Sequence, residues 1–274
     1  MNSNSNSNAK AQAPLGVFDS GVGGLSVLIE LQKLLPHEDI LYFADSGNCP
    51  YGVRPTSEIQ QLTKHATDQL LENGAKALVI ACNTASTAAV AWLRQQYPDL
   101  PIIGMVPAVK PAASSSKSGT IAVLATQATG QAPALHEVID RFAAEREVLI
   151  IAPPGLVELV EQGQTETPAT EQLLRTYLEP ALDKGADAVV LGCTHFPFLN
   201  PVLSKIVGTQ AVLIDSGEAV ARQTRRVLEN SNLLNPQSQF GQVHFFSSGS
   251  PTPTRQVIAQ LLHLEPASLD LTFA

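Results

Sequence analysis

The chain has 274 residues, 44% of them hydrophobic and 15% charged, with a formal net charge of −8. That apolar content can fill a core and excludes a disordered chain, and the length fits one large or two small domains of about 100–200 residues. The acidic balance, with no Lys/Arg run, argues against a nucleic-acid surface, and no apolar stretch reaches the roughly 18–20 residues of a membrane span.

Met1 to Gln12 are mostly Asn, Ser, Ala and Gln and lack the apolar core of a signal peptide. Residues 1–13 therefore read as a disordered tail, and the chain as cytoplasmic. From there strands and helices alternate. A short apolar run at 15–18 ends at Asp19-Ser20-Gly21, and the turn Gly21-Val22-Gly23-Gly24 leads into a helix over 25–35. A strand at 40–44 is followed by the loop Cys49-Pro50-Tyr51-Gly52 and a helix over 56–72. Strand 76–81, helix 84–96 and strand 102–105 come next, then strand 120–125, helix 134–144, strand 148–152 and helices at 156–162 and 169–183. Strand 188–191, helix 198–206, strand 212–214, helix 218–229, strand 243–246 and helix 253–262 close the chain. Apolar strands separated by helices of this length imply an α/β fold with parallel sheets covered by helices on both faces.

Two stretches nearly copy each other: Ala77-Leu78-Val79-Ile80-Ala81-Cys82-Asn83-Thr84 and Ala188-Val189-Val190-Leu191-Gly192-Cys193-Thr194-His195. They lie too far apart for a solenoid period and fit two similar α/β domains. Three Asp-Ser-Gly triplets, at Asp19, Asp45 and Asp215, each follow an apolar run, where parallel sheets open onto a ligand crevice. The Pro-, Ala- and Ser-rich segment from Pro107 to Gly119 suits a domain crossing, and Asp215–Gly217 the return. The expected division is residues 14–107 with 217–274 as one domain, residues 108–216 as the other, and a site in the cleft between them.

The cysteines Cys49, Cys82 and Cys193 form no CxxC pair and no structural-zinc spacing, so neither a disulfide framework nor a metal site is expected. Cys82 would sit at a helix N-terminus, where backbone N–H groups favour a thiolate. Ionising an isolated thiol at pH 7 costs roughly 2 kcal/mol, and a helix terminus returns about 0.3–1 kcal/mol. A cation would have to supply the rest. The plain alternative is a buried core thiol. His195 can hold or shuttle a proton beside Cys193, and this pair also resembles the start of a single-cysteine Cys/His hydrolase site. Asp19 and Ser20 can meet a substrate ammonium or cap the next turn. Asn83, Thr84 and Thr194 can hold carboxylates or cap helices. The Gly21–Gly24 turn can cradle a phosphate, but it lacks the full dinucleotide pattern and a Walker lysine.

Two thiols on opposite faces of a small substrate suit an enzyme that removes a proton from one side of a carbon and returns one from the other. Taken in order, Gly16-Val17-Phe18-Asp19-Ser20-Gly21-Val22-Gly23-Gly24-Leu25, Pro50-Tyr51-Gly52, Ala81-Cys82-Asn83-Thr84-Ala85 and Gly192-Cys193-Thr194-His195-Phe196-Pro197 resemble the glutamate racemases of the aspartate/glutamate racemase family. The resemblance implies two domains about a pseudo-twofold axis. It implies interconversion of L- and D-glutamate without a cofactor, with D-glutamate supplied to peptidoglycan. Cys82 and Cys193 become the acid/base pair, Cys82 working on the D side and Cys193 on the L side. Asp19, Ser20, Tyr51, Gly52, Asn83, Thr84, Thr194 and His195 become substrate-binding or supporting groups. A supporting glutamate precedes the second cysteine in the family; Glu161 matches it better than Glu158. Cys49 stands where an apolar residue is usual and reads as incidental. A homodimer is also implied, although no interface is legible in the sequence. Racemases for aspartate or another small acid share both cysteines, and a two-domain binding protein without catalysis stays open on the residues alone.

Overall fold

The structure, a computed structural model, describes residues 9–273. The expected tail over residues 1–8 lies outside the described residues. Residues 9–12 are helical, where a tail was expected. Ala11 is buried, and its carbonyl accepts from the Lys76 ammonium at 2.5 Å, which ties this turn to the sheet.

Two parallel sheets organise the chain. The strands are β1 (Leu15–Asp19), β2 (Ile40–Ala44), β3 (Ala77–Ile80), β4 (Ile102–Ile103), β5 (Thr120–Ala125), β6 (Glu147–Ile151), β7 (Ala188–Gly192), β8 (Val212–Ile214), β9 (Val243–Ser247) and β10 (Leu271–Phe273). The first sheet has the order β10-β9-β2-β1-β3-β4 and the second β6-β5-β7-β8. The order β2-β1-β3-β4 in one recurs as β6-β5-β7-β8 in the other. Cys82 and Cys193 follow equivalent strands, β3 and β7.

Strands β1, β3, β5 and β7 are buried along their whole length because helices cover both faces, as their unbroken apolar runs require. One apolar cluster joins the sheets: Val27 and Met105 pack with Leu191, Cys193 and Phe196. The chain passes from β4 of the first sheet to β5 of the second through residues 104–119 and returns between β8 and β9. Part of the first passage, Val109–Ser115, is a helix with Ala112 and Ala113 buried. Its mixed Pro, Ala and Ser composition carries no period that would announce it. Among the described residues, no helix is long and apolar enough to cross a membrane.

Candidate active site

Cys82 leaves β3 in an extended conformation and caps the helix Asn83–Gln96. Its sulfur accepts from the Ala85 backbone N–H at 3.4 Å and donates to Ser20 Oγ at 3.5 Å. The helix terminus expected from the sequence is present, but it does not set the outcome. Burial, followed by the nearby Asp19 charge, pushes the thiol up to about 12, against the pull of the Ser20 and Ala85 hydrogen bonds. In this arrangement burial favours the neutral thiol over the thiolate.

Cys193 follows β7, with its sulfur 3.6 Å from His195 Nδ1. His195 Nε2 lies 2.6 Å from Glu161 Oε1. Glu161 ends the helix Leu156–Glu161; its Oε1 also accepts from the Val22 N–H at 2.7 Å and its Oε2 from Ser46 Oγ at 3.2 Å. Burial opposes charge on His195, but the bonds to Cys193, Cys49 and Glu161 outweigh it and hold the imidazole well above its ordinary range. Glu158, the other candidate carboxylate, is exposed. Cys49, read as incidental, is half-buried, and its sulfur stands with Glu161 and His195.

The glycine turn has a different use from the phosphate cradle considered above. A Cβ on Gly21 would lie 2.0 Å from Glu161 Oε1, and one on Gly23 would lie 2.3 Å from His195 Nδ1. The bare backbone lets the pair from the second half of the chain press onto the first.

Asp19 ends β1 fully buried. Its Oδ1 accepts from the Gly21 N–H at 2.8 Å and its Oδ2 from Thr194 Oγ1 at 3.0 Å, a bond that joins the two sheets. Burial raises this carboxyl to about 6, although His195 and the Gly21 N–H pull it down. Thr84 Oγ1 meets Thr126 Oγ1 at 2.9 Å and Thr129 Oγ1 at 3.2 Å. Tyr51 is buried in a short turn, not poised in an open loop, and its hydroxyl donates to Asp45 Oδ2 at 2.6 Å. Gly52 faces Thr126 closely enough that a Cβ would fall 2.7 Å from the threonine Cβ.

Cys82, Cys193, Ser20, Tyr51, Gly52, Asn83, Thr84, Thr194 and His195 line one cavity of about 10 Å³, together with Thr126. That is room for about one water. Asn83 and Cys193 also border a second cavity of about 10 Å³. Both polar atoms of the Asn83 amide are buried without a partner, which costs roughly 1–3 kcal/mol and points to a ligand group. Asp19 and Glu161 stand behind this lining. Thr126, Thr129 and Ser46 were missed in the sequence. Thr126 directly follows β5, so the rule that strand ends face the ligand would have found it. Larger hollows exist, one of about 730 Å³ bordered by Glu30, Glu166 and Asp215, but neither cysteine of the matched pair opens onto it.

The model of the Asp/Glu/hydantoin racemase family matches residues 25–224. The chain belongs to the Asp/Glu/hydantoin racemase family. Within this racemase family it is 49% identical, over 92% of its length and 96% of the relative's, to a glutamate racemase of Ectopseudomonas mendocina. A crystal structure of a glutamate racemase from Bacillus anthracis superposes with a TM-score of 0.84 at 30% identity, covering 96% of this chain and 97% of that one. A glutamate racemase from Francisella tularensis, solved in complex with D-glutamate, gives 0.84 at 29% identity over 96% and 98%. The chain is therefore an amino-acid racemase, an isomerase, with the parallel α/β architecture of these structures.

Proposed function

We propose that this racemase interconverts L- and D-glutamate by two-base proton transfer, with Cys82 and Cys193 as the bases. What carries this reading is that both sulfurs, each from the end of an equivalent strand in a different sheet, border one narrow cavity beside the unpartnered Asn83 amide. The names of the relatives, and the D-glutamate held by one of them, supply the substrate.

In this reading one cysteine is a thiolate while the other is a thiol, and they exchange states in each turnover. Cys82 takes the proton from D-glutamate and Cys193 from L-glutamate. The substrate ammonium offsets the cost of the thiolate, and Asp19, behind the lining and freed from Thr194 as the walls part, is the carboxyl that receives that ammonium. Asn83, Thr84 and Thr194 donate to the α-carboxylate as it becomes enolate-like; each such donor contributes roughly 2.7–4 kcal/mol to a developing oxyanion. One positioned base supplies about 10²–10⁴-fold, so these donors carry much of the remainder. No cofactor takes part. A cavity that holds one water does not hold an amino acid, so the walls joined by Asp19 and Thr194 must part for substrate to enter. Residues 14–107 with 217–274, and residues 108–216, are the two domains that part, about a pseudo-twofold axis; the division between the sheets supports this. Supply of D-glutamate to peptidoglycan, a cytoplasmic location and a homodimer belong to the same reading.

The test is α-proton exchange of each enantiomer in deuterated water, without added cofactor, for the parent and for Cys82→Ser and Cys193→Ser separately. Each variant is expected to lose racemisation. Near wild-type turnover in both directions by either variant overturns the two-base assignment. The contact between Cys193 and His195 also fits a single-cysteine hydrolase, which would tolerate Cys82→Ser and accumulate an acyl-enzyme.

A further inference from the structure

The reaction just described gives Cys49 no proton to carry, yet Cys49 completes a cluster. Its sulfur, a Glu161 carboxylate oxygen and a His195 ring nitrogen all lie within 4.8 Å of one another. They come from three separate segments: the loop after β2, the end of the helix Leu156–Glu161 and the turn after β7. We propose that Cys49, Glu161 and His195 form a binding site for a zinc-like divalent cation, and that its occupation inhibits the enzyme reversibly.

The donor set selects the ion. Thiolate, imidazole and carboxylate together are ligands of borderline-soft cations, and calcium or magnesium would take oxygen alone. Zinc bonds of about 2.0–2.3 Å place tetrahedral ligand atoms about 3.4–3.7 Å apart. The cluster reaches that spacing if the sulfur draws in and the 2.6 Å contact between His195 and Glu161 opens by about 1 Å. Three protein ligands leave a fourth position for water, as in open zinc sites.

The surroundings already orient these ligands. The Val22 N–H and the Ser46 hydroxyl fix the two oxygens of Glu161, the kind of support that metal ligands need. Gly21 and Gly23 pack against Glu161 and His195 with backbone alone. The imidazole is shared between two tasks. Nε2 faces Glu161, while Nδ1 faces the Cys193 sulfur. An ion on Nε2 confines the ring proton to Nδ1 and takes Glu161 away from the imidazole. The ring that stands 3.6 Å from the Cys193 sulfur is then anchored to the ion and can no longer move with the sulfur or the substrate.

The inhibitory half rests on the two-base reading; the binding half does not. The full chain, freed of metal, is titrated with cobalt(II) chloride, and the thiolate-to-cobalt charge-transfer absorption is read. Zinc chloride is then used to displace the cobalt and to inhibit racemisation of D-glutamate. One equivalent of cobalt is expected, with at least tenfold inhibition by zinc that a chelator reverses. Cys49→Ala and Cys49→Ser are expected to lose the absorption band and, each measured against its own metal-free turnover, to tolerate at least tenfold more zinc. Using both replacements covers the failure of either to fold. Cobalt binding and zinc inhibition unchanged in the Cys49 variants would place the ion on Cys82 or Cys193 and overturn the proposal, as would a parent chain that takes up no cobalt. Binding that depends on Cys49 but leaves turnover intact overturns the inhibitory half. The same binding in a chain that racemises nothing upholds the site and rejects the two-base reading.

Discussion

His195 touches Glu161 through one ring nitrogen and Cys193 through the other. The carboxylate thus acts on the sulfur through the ring, as an orienting group acts through a catalytic histidine. Glu161→Gln keeps the shape and removes the charge. It should lower kcat about tenfold or more with little change in KM, and move the limb of the pH–rate profile that belongs to His195 toward lower pH, because a bond that raises its pKa is weakened. Profiles over pH 5–10 for parent and variant check both effects.

Asp19 gives a stability test with a defined sign. Its carboxyl titrates at about 6 in the fold against 3.8 unperturbed. The folded state therefore holds the proton more tightly, and stability is lost as pH rises from about 4 through 6. Asp19→Asn should be inactive but more stable at pH 8, by up to about 3 kcal/mol. The gain should shrink as pH falls toward 4. Denaturant melts at pH 8, 6 and 4.5 measure it, and a gain independent of pH would contradict the assignment.

Asn83→Ala should raise KM for either enantiomer at least tenfold. Without ligand it should leave the fold as stable as the parent, or more stable by about 1 kcal/mol, since a buried amide with no partner is removed. Paired thermal melts and initial rates distinguish this from the loss of an ordinary core residue.

Gly23→Ala should reduce kcat more than tenfold, because a Cβ 2.3 Å from His195 Nδ1 must push the ring off Cys193. Gly52→Ala, on the opposite wall against Thr126, should chiefly raise KM by holding the cleft apart. Steady-state kinetics of the two variants separate displacement of the ring from impaired closure.

Much of this architecture was legible in the chain. Val79, Ile80, Val189 and Val190 lie in strands covered on both faces, so their runs are apolar throughout and their ends are sharp. Cys82 and Cys193 were visible because the two halves repeat the same strand-to-helix phrase. What escaped depended on contacts between distant segments. Glu161 was preferred to Glu158 only through the family resemblance; the approach of the Gly21–Gly23 turn and His195 supplies the physical reason. Cys49 was set aside as a lone thiol because nothing near it in sequence announces His195. The helices Val109–Ser115 and Gln127–Gln131 are short and carry no clear amphipathic period, so tertiary packing decides them.

The two sulfurs have unlike neighbours: a serine hydroxyl and a backbone N–H at Cys82, and at Cys193 an imidazole whose far nitrogen meets a carboxylate. Mirror-image substrates have equal free energies in water, so the equilibrium constant of the proposed reaction is one whatever the protein does. The Haldane relationship then makes kcat/KM identical in the two directions. Unequal walls can still hold one enantiomer more tightly and turn it over more slowly. Whatever a substitution at Ser20 or His195 grants one direction in turnover, it must return in saturation.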